Sequence, residues 1–146
     1  MTNLELQNLT QKLSTEKFNR PFIHDVYFNQ RLRTTGGRYH LNDHHIDINP
    51  KMIDQFDMDN LVGVILHELC HYHLHLTGKD YHHGSHDFKA LLQQVGGSRY
   101  APIPATEQAK MVRYQCQSCW NVVVRRRKLN VKRYVCARCG GRLKLI

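Results

Sequence analysis

His67-Glu68-Leu69-Cys70-His71 places two imidazoles and a carboxylate within five residues. Histidines four apart share one face of an α-helix, close enough to hold a single zinc ion, and the carboxylate beside the first can act as general base toward a water activated there. That is the residue pattern of a zinc hydrolase site. A catalytic zinc takes a third protein ligand and keeps one position open. His73 lies about 200° around the helix from His71, and His75 roughly 12 Å along the axis from His67, so neither reaches the same ion easily. Beyond Gly78 the chain can fold back, which directs attention to His82-His83-Gly84-Ser85-His86. His83 is favoured because Gly84 lets the backbone turn sharply beside a metal, with His86 second, His82 third and the distant His45 a further competitor.

The remaining candidates take supporting parts. Glu68 would pass the proton of the attacking water to the leaving amine. Asp80 or Asp87 offers a carboxylate to the outer nitrogen of a ligand histidine, although a surface acid is the plainer expectation. Tyr72, Tyr81 and Tyr100 could reach the site as oxyanion donors, but core packing is the expected role of each. Cys70 should be a small buried hydrophobe.

A second metal signal follows. Cys116/Cys119 and Cys136/Cys139 form two Cys-x-x-Cys pairs, the spacing of a structural four-cysteine zinc site, in a region too short to fold on its own core. From Lys110 to Ile146 there are eleven Lys/Arg and no Asp/Glu, so this tail carries +11 while the preceding residues carry −2. Four zinc-bound thiolates leave the tail at about +9 by the same charge count. Arg125-Arg126-Arg127-Lys128, with Trp120, Tyr114 and Tyr134 as stacking platforms, suits phosphates and unpaired bases. A solvated basic surface on a structural knuckle is the plainer alternative.

The elements that must position these groups are legible from periodicity. Thr2-x-x-Glu5 is a capping box, and Leu6, Leu9 and Leu13 predict a helix from residue 3 to about 15. Phe22 to Phe28, Gly37 to Leu41 after a Gly36-Gly37 turn, and His45 to Asn49 up to Pro50 predict short strands in a small, mostly antiparallel sheet. The motif helix starts at Asp57 or Asp59, is apolar on more than one side, and stops at Gly78. Another helix, 85–95, has Phe88, Leu91, Leu92 and Val95 on one face and ends at Gly96-Gly97. Residues 98–112 read as a linker, and 114–146 as hairpins carrying the cysteine turns.

A chain of 146 residues with 41% hydrophobic content fits one domain plus an appendage, and its longest apolar run, Leu61 to Leu66 around Gly63, is too short for a membrane span. The N-terminus has neither a basic n-region nor an apolar h-region, so a cytoplasmic location is expected, where paired cysteines bind metal rather than form disulfides.

With these residues assembled, the chain resembles the SprT-like family of zinc metallopeptidases, to which the eukaryotic DNA–protein crosslink protease Spartan is related. The resemblance runs through Phe28-Asn29-Gln30-Arg31-Leu32, Thr35-Gly36-Gly37-Arg38-Tyr39, Ile46 to Pro50, Leu66 to Leu76, a histidine ahead of Asp87-Phe88, and the C-terminal ribbon. It is nearest the compact bacterial branch. The resemblance implies an α+β fold: a minimal zincin-like metalloprotease domain over residues 1–105 and a zinc ribbon over 106–146. It also implies His67, His71 and His83 as ligands of a catalytic zinc, Glu68 as the catalytic residue, a protein or peptide substrate, and DNA as a partner of the basic ribbon. Gly84-Ser85-His86-Asp87-Phe88 is one residue longer than the Spartan-type spacing, which keeps His86 in contention. The competing expectation is a nucleic-acid-binding or regulatory protein whose front domain holds a structural, non-catalytic zinc.

Overall fold

The computed structural model describes residues 1–146 as two compact units, Met1–Pro104 and Ala105–Ile146. Helix α1, Asn3–Phe18, starts at the expected capping box: the Glu5 N–H donates to Thr2 Oγ1 and the Thr2 N–H to Glu5 Oε1. It buries Leu6, Thr10, Leu13 and Ser14. Strands β1 (Val26–Phe28), β2 (Gly37–Tyr39) and β3 (Ile46–Ile48) form a sheet in the order β1-β3-β2. Helices α2 (Lys51–Asp54), α3 (Met58–Leu76) and α4 (His86–Val95) complete the first unit. No helix is long and apolar enough to cross a membrane.

The α+β class agrees with the sequence expectation, but the first sheet is mixed. β2 is antiparallel to β3, whereas β1 runs parallel to it with Val26 opposite Ile46. Alternating apolar residues show which face is buried and leave strand direction open. Helix α1 decides which edge of β1 is left for pairing, because its side chains occupy the other one. The Gln7 amide donates to the His24 carbonyl and accepts from the Val26 N–H, and Asn3 Oδ1 accepts from the Phe28 N–H. With one edge so engaged, β1 gives its other edge to β3. The sequence also omits α2, a single turn opening at Pro50, because four residues carry no periodicity.

Helix α3 is the centre of the unit. Asp57 caps it by accepting from the Asn60 N–H, and Leu61, Val64, Ile65, Leu66, Leu69 and Cys70 are buried among the sheet, α1, α2 and α4. Burial on several sides follows from its wide apolar surface. Glu68, His71, Tyr72 and His73 share that burial, the last two with partners in other elements. The Ser14 hydroxyl donates to the Arg20 carbonyl and so accepts from His73 Nε2 at 2.7 Å, while Tyr72 meets His24 Nδ1 at 2.7 Å.

The second unit holds α5 (Ala105–Gln108), a turn of helix inside the stretch expected to be a linker, and β4 (Val112–Cys116), β5 (Val122–Arg125) and β6 (Leu143–Leu145). β4 is central and antiparallel to both neighbours. Its buried hydrophobic cluster consists of Tyr114, Cys116, Cys136 and Leu143, so two of its four members are cysteines. Such a core is too small to hold the unit without further cross-linking.

Candidate metal centres

The i, i+4 geometry of α3 brings His67 and His71 to one face, and the loop after Thr77 returns His83 to them. His83 Nε2 lies 2.9 Å from His67 Nε2 and 3.0 Å from His71 Nε2. The edge of a zinc tetrahedron with nitrogen ligands is about 3.3 Å, so the three nitrogens are spaced as ligands of one ion. Of the three loop histidines, only His83 joins this cluster. His82 bonds Asp80 Oδ1 at 2.8 Å, and His86 opens α4 and lines a different cavity with Phe18, Arg20 and His73.

Both helix ligands are held in one tautomer. His67 Nδ1 donates to the Ser98 carbonyl at 2.7 Å and His71 Nδ1 to the Tyr81 carbonyl at 2.5 Å. A carbonyl only accepts, so each Nδ1 carries the proton and each Nε2 presents a lone pair toward His83. Burial pushes the His67 imidazole below its ordinary pKa and His71 down to about 4, with the carbonyl bonds acting in the opposite direction. Both rings are neutral donors at physiological pH. Phe88 supports all three, stacking on His71 at 4.4 Å between centroids and meeting His67 and His83 edge-on.

The supporting groups differ from those expected. Neither Asp80 nor Asp87 reaches a ligand nitrogen; backbone carbonyls take that place, and a carbonyl has no residue-type signature in sequence. Ser98 comes close because its N–H donates to the Gly63 carbonyl, where a Cβ on residue 63 would clash with Ser98 Oγ. Gly63 within the apolar run was the available signal. Among the tyrosines, Tyr72 is in the core as expected, Tyr81 contributes its carbonyl, and Tyr100 is exposed rather than packed. Cys70 is fully buried, and burial pushes its thiol up to about 12, which makes it inert.

Glu68 points from the same helix toward β2. Gly37 permits the approach, since a Cβ there would meet Glu68 Cγ at 2.9 Å and the Asp47 carbonyl at 3.1 Å. Gly37 is the first residue of β2, where the sequence places the start of this strand. Burial pushes the Glu68 carboxyl up to about 8, opposed by a hydrogen bond from the Tyr39 backbone and by the Arg38 charge.

The four tail cysteines converge as expected. Cys116 and Cys139 sulfurs are 3.4 Å apart and Cys119 and Cys136 sulfurs 3.8 Å, near the roughly 3.7 Å edge of a tetrahedral zinc–thiolate site. Each knuckle is closed by a residue of positive φ after its second cysteine, Trp120 at 64° and Gly140 at 75°. Backbone N–H groups of Cys119 and Ser118 hold the Cys116 thiol down to about 6, and those of Cys139 and Arg138 lower Cys136. For Cys139 the Gly141 N–H acts to lower the pKa, but the Cys116 and Cys119 sulfurs push it up to about 12. Four thiolates cannot all ionise at this spacing without a cation among them. The residues of both clusters therefore fit a zinc-type ion by donor chemistry and spacing.

The fold and its two donor clusters define an α+β protein with metal-binding capacity and a ribbon-like C-terminal cysteine unit. The SprT-like family model matches residues 6–109. "Protein SprT-like" of Lactiplantibacillus plantarum is 57% identical over 148 aligned residues, covering 100% of both chains. Those of Enterococcus faecalis and Bacillus cereus are 53% and 45% identical, covering 98% and 100% of this chain and 94% and 97% of theirs. The chain belongs to the SprT-like family.

Proposed function

We propose that the first unit is a zinc-dependent peptidase of minimal zincin-like architecture. The observation that carries this reading is the convergence of three imidazole Nε2 atoms beside a buried glutamate on the same helix. His67, His71 and His83 would hold the ion with three protein donors, one fewer than a closed structural zinc site has. Bound there, zinc would supply Lewis-acid polarisation of a peptide carbonyl and of water. Glu68 takes the proton from the attacking water and delivers it to the departing amine. β2 is an edge strand, and an extended peptide can add to such an edge. A cavity of about 700 Å³, with Phe88 and Leu92 among its lining and Lys89, Arg99 and Tyr100 beside them, adjoins His83 and can take a substrate side chain.

Glu68→Gln is expected to keep its zinc and lose protein hydrolysis by at least about 10²-fold, as removal of a general base does. Equal turnover by both proteins would remove the assigned mechanism.

The second unit, in this reading, is a structural zinc ribbon that recruits DNA. Arg125 at the end of β5 and Arg126 to Lys128 after it are all exposed, and Trp120 and Tyr134 stand open at 64% and 49% exposure. Tyr114 does not serve as a platform: it is buried, and its hydroxyl accepts from the Leu129 N–H. DNA affinity should fall steeply with salt, and replacing all four cations by Gln should reduce the log–log slope by up to about 3–4. A slope unchanged by that substitution would dismiss these cations as the contact.

A further inference from the structure

We propose that His40, His45 and Asp47 form a further divalent-metal site, in the β2–β3 hairpin and separate from both clusters above. His40 Nε2 lies 2.9 Å from Asp47 Oδ2, and His45 Nε2 lies 3.1 Å from Asp47 Oδ1. The three donor groups meet within 4.8 Å. Two histidines and one carboxylate are the donor set of many zinc, iron and manganese sites.

Hydrogen bonding leaves this set incomplete in one direction. Asp47 Oδ2 is satisfied by His40 and by Asn29 Nδ2 at 3.2 Å, but Oδ1 is buried and accepts no hydrogen bond. Asp47 is only 4% exposed, so water does not compensate freely. His45 faces that oxygen at ion-pair distance outside hydrogen-bond geometry. Its Nδ1 is already committed to Asp43 Oδ1 at 2.5 Å. A carboxylate accepts, so neutral His45 carries its proton on Nδ1 and aims an Nε2 lone pair at a second acceptor. Two lone pairs at this separation repel unless a cation lies between them. The Asp43–His45 pair also matches the carboxylate–histidine arrangement that orients metal ligands.

Charge points the same way. Asp43 and Asp47 bring two carboxylates to the hairpin, a donor set whose formal charge matches one divalent ion. The rings of His40 and His45 stack at 3.8 Å and 13°, with Tyr27 on the other side of His45 at 5.0 Å. To share an ion they must tilt about χ2, a soft torsion for histidine. Their partly exposed side chains permit it. An ion so held would tie the end of β2 to β3 next to Tyr39, whose backbone meets Glu68.

The test is a zinc titration of metal-free full-length protein, with bound metal counted after chelator competition and the histidine ring nitrogens followed by NMR. Wild type should bind one equivalent more than a His40→Gln/His45→Gln double variant, and zinc should shift both Nε2 resonances. Asp47→Asn should lose the same equivalent. With cobalt in place of zinc, the thiolate charge-transfer band of the four-cysteine site should be equal in all three proteins. Identical metal counts in wild type and double variant would overturn the proposal. So would a His45 ring protonated on both nitrogens and unmoved by zinc, which would make the cluster an imidazolium held between Asp43 and Asp47. Because the readout is a difference of one equivalent, it is independent of whether His67, His71 and His83 bind metal.

Discussion

His83 shows most clearly how one residue depends on its surroundings. Its identity as the loop histidine nearest the helix pair comes from the chain reversal after Gly78, and its Nε2 then stands within 3.0 Å of both partners. His83→Ala should abolish retention of the ion at this cluster, whereas His86→Ala should leave it unchanged; chelator-competition metal counts distinguish them. The opposite ranking would reassign the third ligand. The His67 and His71 positions were readable from spacing because an α-helix turns four-residue separation into adjacency. The Ser98 and Tyr81 carbonyls were not, since any residue type can supply them.

Among elements, the pairing of β2 with α3 controls the chemistry proposed for Glu68. Gly37→Ala inserts a methyl against Glu68 Cγ, the Asp47 carbonyl and Ile48 Cδ1, all within 3.1 Å. Overpacking of this kind costs about 1–3 kcal/mol. The expected outcome is lower thermal stability and impaired hydrolysis with an unchanged metal count, since the three atoms nearest the new methyl belong to Glu68, Asp47 and Ile48 and to none of the histidines. A variant as stable and active as wild type would show that the close approach is dispensable. Helices α1, α3 and α4 were legible because caps and 3.6-residue periodicity are local signals. The parallel β1–β3 pairing was hidden because alternation of apolar residues records the buried face and not the direction of the partner strand.

At the scale of the whole molecule, the two units draw stability from different sources. Met1–Pro104 has an extensive apolar core, and Ala105–Ile146 has a buried cluster of two hydrophobes and two cysteines. Chelation of all metal should therefore unfold the second unit and leave the first cooperatively folded, because a small site of this kind derives its folding free energy from the ion. Amide exchange resolved by residue checks this: protection should vanish at β4 to β6 and persist in α3. Persistent protection in both units would show that the ribbon folds without metal.

What residue order alone determined was the donor chemistry: the helix-borne histidine pair, the glutamate between them, the two cysteine knuckles and the wholly basic tail. Each is a short-range pattern, and helix geometry or turn spacing converts it directly into shape. Tertiary structure decided which loop histidine joins the pair, which carbonyls lock its tautomers, how deeply Glu68 is buried, whether Tyr114 is free, and that His40, His45 and Asp47 meet at all. These outcomes depend on chain segments distant in sequence closing onto one another, and local periodicity contains no record of that closure.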